Sequence, residues 1–220
     1  MYKNNFYKNY AKNIHSQNGE DGIIEELFNR LSISNGWVCE FGAWDGIHLS
    51  NTYNLVKQNF NAVYIEGDKE KYTDLLKTVE NHKNIIPINV FVDHKDSENS
   101  LDNILKKTDI PIDFDILSID IDSYDYQVWK SLKVYKPKIV IIEINSSVKV
   151  NNDEHIHEPN KYQGTGFKPT YDLGLEKGYK FILHTGNMFF IREDLFNKLN
   201  IEYENPLENF IPRWGGAIYS

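Results

Sequence analysis

Five strand-sized apolar runs, each separated from the next by an amphipathic stretch, constrain this chain more than any other feature. They read WVCEFG (37–42), AVYIEGD (62–68), IIPINVFVD (85–93), FDILSID (114–120) and KIVIIEIN (138–145). Around and between them apolar residues recur at helical spacing: Ile23, Ile24, Leu27, Phe28 and Leu31, then Tyr72, Leu75, Leu76 and Val79, then Leu101, Ile104 and Leu105. A short helix is expected from SNTYNLVKQ, with Ser50 or Asn51 as its cap, and another from YDYQVWKSL. Near-continuous apolar strands alternating with amphipathic helices specify a parallel sheet covered on both faces. The end of the chain breaks the pattern. YKFILHT and NMFFIRE follow one another across about two residues, and a parallel crossover needs roughly a dozen, so these runs can pair only antiparallel. The expected fold is α/β and Rossmann-like: a mostly parallel seven-stranded sheet with an antiparallel C-terminal hairpin and helices on both faces.

No internal repeat or low-complexity linker interrupts the 220 residues, so one domain is expected over 1–220. Within it, 1–35 reads as an N-terminal helical element and 200–220 as a tail. Residues 146–167 lack periodicity, and aperiodic segments of that length in compact domains tend to carry function, here a substrate-side loop. Lys and Arg are scattered and the net charge is −8, which argues against a nucleic-acid partner. No run approaches the ~18 apolar residues of a membrane-spanning helix. The first residues, MYKNNFYKNYAKN, lack the apolar core of a signal peptide. The single Cys39 excludes an intrachain disulfide. No membrane partner and a cytoplasmic location are the expectations.

CEFGAWDG (39–46) ends the first strand, where open α/β sheets bind ligands. A dinucleotide turn closes backbone amides on a pyrophosphate through three glycines. Here Trp44 stands where the middle glycine would lie, and Glu40 and Asp45 would repel phosphate. The same loop suits S-adenosylmethionine, which carries an ammonium and a sulfonium beside one carboxylate. Gly42 and Gly46 admit close backbone approach, and Glu40 and Asp45 are candidates to hold the ammonium. Glu66 ends the second strand in the position of a ribose-binding acid, and Asp93 ends the third, placed to approach an adenine amino group. Asp120 ends the fourth.

The ordered series CEFGAWDGIHLSNT, AVYIEGD, SLDNIL, LSIDIDSYDYQVW and GYKFI…NMFFIREDL resembles the class I S-adenosylmethionine-dependent methyltransferases, and within them FkbM-like enzymes. SQNGEDGIIEELF resembles an element that precedes the cofactor domain in some of those proteins. The resemblance covers residues 16 to about 196. It implies a seven-stranded sheet with an antiparallel last strand and methyl transfer to a hydroxyl, often on a sugar or natural product. Asn51, Thr52 and Gly67 lie within the matching stretches and join the candidate cofactor contacts. One departure is that family members read roughly KIDVEG where this chain has SIDIDSYD.

Methyl transfer to an alcohol needs an aligned acceptor and a group to take its proton. Asp120 is the first candidate, as base and as cofactor contact. Asp120 and Asp122 are two apart at one strand end, and Glu143 and Asn145 are two apart at the next. These four oxygen-bearing side chains form a candidate Mg²⁺ or Ca²⁺ site. Helix capping is the competing role for Asp122 and Asp125. In DEHIHEP, His155 and His157 fall on one side of an extended segment and are candidate bases; a transition-metal site and a solvated loop are the alternatives. Gln17 is a candidate donor to the methionine carboxylate, with Asn18 or Asp21 capping the helix as the competing reading. The expected activity is S-adenosylmethionine-dependent O-methyl transfer to a small polar acceptor, a sugar or sugar nucleotide. An NAD(P)-dependent oxidoreductase and a non-catalytic nucleotide-binding domain are the alternatives. The aromatic NFIPRWGGAIY leaves homo-oligomerisation open.

Overall fold

A computed structural model describes residues 5–201 and 206–212. Most of the 200–220 tail therefore lies outside the described residues. The chain begins with α1 (Asn5–Tyr10) and α2 (Glu20–Leu31), then alternates β1 (Trp37–Phe41), α3 (Tyr53–Val56), β2 (Asn61–Glu66), α4 (Lys69–Asn81), β3 (Ile85–Asn89) and α5 (Leu101–Leu105). It continues through β4 (Ile116–Ile119), α6 (Asp125–Ser131), β5 (Ile139–Glu143), α7 (Phe167–Glu176), β6 (Tyr179–His184), β7 (Asn187–Arg192) and α8 (Glu193–Phe196). The seven strands form one sheet in the order β3-β2-β1-β4-β5-β7-β6.

β1 pairs in parallel with both β2 and β4, so the winding reverses beside β1. That reversal opens a crevice at the carboxyl ends of β1 and β4. β7 pairs antiparallel with β5 on one side and β6 on the other. The connection between β6 and β7 is only Thr185 and Gly186, too short for a crossover, as the sequence requires.

Both faces are covered because the strands are apolar on both sides. α2, α3 and α4 supply Ile23, Ile24, Leu27, Phe28, Leu55 and Leu75 to a core against Val38, Tyr64, Ile116 and Ile141. On the other face Leu101, Ile104, Val128, Trp129 and Phe167 pack against Cys39, Val63, Leu117 and Val140. Trp129 is fully buried and lies 5.0 Å from the Phe190 ring and 5.8 Å from the Tyr179 ring. Cys39 is buried, and that burial raises its thiol pKa beyond any physiological pH, so the side chain is an inert core group.

The third strand is shorter than its apolar run suggests. β3 stops at Asn89, whose Nδ2 donates to the carbonyls of Glu66 and Gly67 at 2.7 and 3.3 Å. The Glu66 carbonyl also accepts the Val90 N–H at 3.2 Å, so the amide shares that last ladder position and caps the Gly67 carbonyl beyond it, where the chain leaves the sheet edge. Asp93 therefore does not end the strand; it lies four residues beyond and makes a single bridge with Ser100. Among the described residues no helix is long and apolar enough to cross a membrane.

Candidate functional site

The glycine turn after β1 divides into two parts. Gly42, at φ 78, lies so close to the end of β4 that a Cβ there would come within 1.8 Å of the Asp120 carbonyl oxygen. Only glycine fits. Gly42 and Ala43 donate their N–H groups to the Ile65 carbonyl at 3.1 and 3.2 Å, which folds the turn onto the end of β2. Trp44, at φ 47, then donates its N–H to Glu66 Oε2 at 2.8 Å. Asp68 donates its N–H to the other Glu66 oxygen, also at 2.8 Å. Glu66 is 6 % exposed, and each of its oxygens keeps a further lone pair for a hydroxyl donor.

Glu40 is equally enclosed, at 7 % exposure. Its Oε2 accepts from Ser50 Oγ at 2.9 Å, Thr52 N–H at 3.1 Å and Thr52 Oγ1 at 2.5 Å. Burial raises the Glu40 pKa, while the Thr52 and Ser50 hydroxyls and two backbone N–H groups pull it down. Asn51 Nδ2 donates to Ser118 Oγ on β4 at 3.1 Å. Ser50, Asn51 and Thr52 thus hold the loop across the ends of β1 and β4, beside Gly42 and Glu40.

The second half of the motif faces elsewhere. A Cβ on Gly46 would lie 2.8 Å from Leu75 and 3.0 Å from Tyr64, so Gly46 packs against α4 and β2. Asp45 Oδ1 accepts the N–H groups of Ile47 and His48 at 2.8 and 2.7 Å, forming an Asx turn. Asp93 does the same for Lys95 N–H at 2.9 Å; that bond, followed by one from Ser97, lowers its pKa. Gly67 lies under the Phe91 ring, which is 75 % exposed.

The segment before α2 runs along the same edge of the sheet. Asp21 Oδ2 gathers the N–H groups of Ile14, His15 and Ser16 and the Ser16 hydroxyl, at 2.7–2.8 Å. The N-cap itself is Gly19, with no side-chain cap. Glu20 is fully buried and accepts from Thr185 Oγ1 at 2.6 Å, while the His15 ring meets Tyr53 edge-on at 4.7 Å. The segment therefore stretches from α3 to the β6–β7 turn, and Gln17 is exposed on it.

Beyond β4 and β5 lies a carboxylate-rich cleft of ≈ 260 Å³, lined by Asp122, Asp125, Glu143, Asn145, Gln163 and Gly164 among others. One oxygen each of Asp120, Asp122 and Glu143 lie within 4.8 Å of one another. Asp125 is buried at the start of α6, and its two oxygens accept Ile121 N–H at 2.8 Å and Ser123 N–H at 2.9 Å. It organises the turn that carries Asp122, which has φ 59. Burial pushes the Asp125 carboxyl up to about 6.

Asp120 and Glu143 are hydrogen-bonded to each other, so one of them carries a proton. Desolvation raises both, and repulsion adds to it, from Asp125 and Asp122 on Asp120 and from Asp120 on Glu143. Asp120 is exposed to solvent beside the cleft, so water moderates the desolvation there and the neighbouring charges matter more. Asn145 is near but committed: Nδ2 donates to the Gln163 carbonyl at 2.7 Å and Oδ1 accepts from the Ser147 N–H and hydroxyl. The His155 ring packs 4.5 Å from Tyr162, with Nε2 enclosed and unpartnered. His157 Nδ1 accepts the Gly164 N–H at 3.1 Å.

Gln163 and Gly164 in the cleft wall escaped sequence reasoning. So did Ser118, the anchor of Asn51. An exposed-looking Gln-Gly in an aperiodic stretch and a serine inside an apolar strand were the only signals.

No family model matches the sequence, and no curated protein does. Among solved structures, a Staphylococcus aureus protein assigned as a caffeoyl-CoA O-methyltransferase is similar, with 13 % identity, 77 % of this chain and 81 % of that chain covered, and a TM-score of 0.54. A Clostridium acetobutylicum S-adenosylmethionine-dependent methyltransferase aligns at 11 % identity over 79 % and 90 % of the two chains, with a TM-score of 0.47. The Methanococcus jannaschii fibrillarin pre-rRNA processing protein aligns at 13 % identity over 73 % and 67 %, also with a TM-score of 0.47. At these identities the likeness is one of fold.

Proposed function

We propose that this protein is an S-adenosylmethionine-dependent methyltransferase that methylates a hydroxyl of a small polar acceptor, a sugar or sugar nucleotide. The observation that carries the proposal is the pair of buried carboxylates, Glu40 one residue before the end of β1 and Glu66 at the end of the adjacent β2, next to the Gly42 turn. A phosphate would meet two carboxylates there; a cationic ligand with a ribose meets complementary charge and a hydroxyl acceptor. S-adenosylmethionine supplies an already activated methyl group. Glu66 binds the ribose, Glu40 with Asn51 and Thr52 faces the methionyl end, and Gln17 is a donor from above.

The acceptor occupies the acidic cleft on the far side of Asp120. There the protein aligns a hydroxyl and removes its proton. Asp120 and Glu143 share one proton, so the ionised partner of the pair is a base within the cleft. Asp120, Asp122 and Glu143 are hard oxygen donors gathered closely enough to fit Mg²⁺ or Ca²⁺, which would lower the pKa of the acceptor hydroxyl.

Calorimetric titration with S-adenosylmethionine tests the cofactor. Micromolar binding is expected, weakened roughly 10- to 100-fold in Glu66→Ala by loss of charge-assisted hydrogen bonds. Folded protein that fails to bind at high micromolar cofactor overturns the proposal. A methyl-transfer screen over sugars and sugar nucleotides, with and without EDTA, then identifies the acceptor and the need for metal.

A further inference from the structure

One wall of the acidic cleft, with Ser147, Gln163 and Gly164, is built from the 146–167 segment, and a web of hydrogen bonds holds it there. Asn145 donates its backbone N–H to the Thr165 carbonyl at 2.9 Å and Nδ2 to the Gln163 carbonyl at 2.7 Å. His157 donates its backbone N–H to Thr165 Oγ1 at 3.1 Å, and its Nδ1 accepts the Gly164 N–H at 3.1 Å. Gln127, on α6, donates from Nε2 to the His157 carbonyl at 2.7 Å. The His157 ring meets Tyr124 edge-on at 4.6 Å, and Tyr124 stacks flat on His94 at 4.2 Å. Three connections at one edge of the sheet are joined by these rings. Gly164 has φ 64 and lies close to Asn145, where an added Cβ would come within 3.2 Å of the Asn145 Cβ.

We propose that His157 is a positioning residue for the acceptor side of the cleft, holding Gly164 and Gln163 in the wall, and that it is not the general base. Naming that wall the acceptor side rests on the methyl-transfer reading; the latch itself does not. An Nδ1 that accepts an N–H carries no proton, so the single proton of the neutral ring lies on Nε2. The only nitrogen able to take a proton is then the one already bound to Gly164. Protonating it opposes two N–H groups and releases the glycine. Tyr124 from the β4–α6 turn meets the ring with His94 behind it, while the neutral carboxamide of Gln127 binds the His157 backbone carbonyl. Asp93 lies 3.7 Å from His94 Nδ1. Burial, then the charge of His94, lowers the His157 pKa below its ordinary 6.5, which keeps the latch closed at neutral pH.

Nuclear magnetic resonance of the ¹⁵N-labelled, cofactor-free chain tests this. The ring is expected as the Nε2–H tautomer at pH 7.5. As His157 titrates, Gly164 amide exchange, corrected for its intrinsic pH dependence, should accelerate by roughly tenfold or more, the cost of losing one enclosed hydrogen bond. In His157→Asn the side-chain oxygen accepts the same N–H without titrating, so protection should persist and no longer respond to pH. An Nδ1–H tautomer, or Gly164 exchange indifferent to His157 protonation, overturns the proposal. The wild-type titration decides alone if the variant fails to fold. No step uses S-adenosylmethionine, so failure to bind it would leave this result standing.

Discussion

A carboxylate at a strand end has two uses, and the chemistry of a single residue does not say which. Glu40 and Glu66 stood out as candidates because each lies at or one residue before the end of a buried strand, close to a glycine, and both side chains are buried. Asp45 and Asp93 have the same side chain at similar positions, yet they accept backbone N–H groups two or three residues on. Such Asx turns are local, and sequence spacing serves them as well as it serves a ligand. The distinction has a measurable form at Asp120. Asp120→Asn should retain S-adenosylmethionine affinity while methyl transfer falls by roughly 10²–10⁴-fold, the usual contribution of a base; equal loss of both in calorimetry and turnover would move Asp120 to cofactor binding. Glu40 gives a second test. Its pKa is raised, above all by burial, so its proton is held more tightly in the folded chain than in the unfolded one. Its contribution to stability is complete below the ordinary value near 4.5 and is lost as pH rises through the folded value. Glu40→Gln has no such titration. The stability of the variant relative to wild type, from urea unfolding without cofactor, should therefore improve as pH increases, and a constant difference would refute the burial argument.

At the scale of elements, strands were more legible than their ends. The five apolar runs gave β1, β2, β4 and β5 close to their observed bounds, because continuous burial on both faces tolerates no polar interruption. β3 sits at the sheet edge, where the Asn89 side chain takes the Gly67 carbonyl just past the last ladder bond and the strand ends before its apolar run does. The 146–167 segment has no periodicity to read, since its order comes from Asn145, His157 and Gln127 rather than from a repeating backbone pattern. The same holds before α2. SQNGEDG offered Asn18 or Asp21 as a cap, but Asp21 instead bundles three N–H groups of the preceding loop from inside the helix. Replacing Asp21 by Ala strands those donors in a segment wedged between α3 and the final hairpin. The loss should be about 3 kcal/mol, at the upper end for breaking a buried charged hydrogen-bond group. Urea unfolding measures it, and a loss below about 1 kcal/mol would mean the loop re-solvates without strain.

For the whole molecule, the parallel arrangement directs β1, β2, β4 and β5 so that they end on one edge, and the acids at those ends converge there. Composition shows a net charge of −8 but not that Glu40, Asp120, Asp122, Asp125 and Glu143 share a neighbourhood; the strand order creates it. That concentration makes the cofactor-free protein a proton acceptor. Desolvation and mutual repulsion raise Asp120, Asp125 and Glu143, as burial raises Glu40. Folding then takes up protons, and a group with a raised folded pKa stabilises fully only below its unfolded value. Stability should fall as pH climbs from the ordinary carboxylate range near 4 through about 6, where Asp125 ionises, and on past neutrality as the Asp120–Glu143 pair sheds its last proton. A cation in the cleft would replace that proton. Saturating Mg²⁺ or Ca²⁺ should raise Tm more at pH 8 than at pH 5.5, by the equivalent of ~2.7 kcal/mol at a hundredfold excess over Kd, and EDTA should reverse it. Glu143→Gln removes one ligand and the shared proton together. It should flatten the pH dependence and abolish the metal response, whereas a metal response that survives in Glu143→Gln would place the cation elsewhere on the molecule.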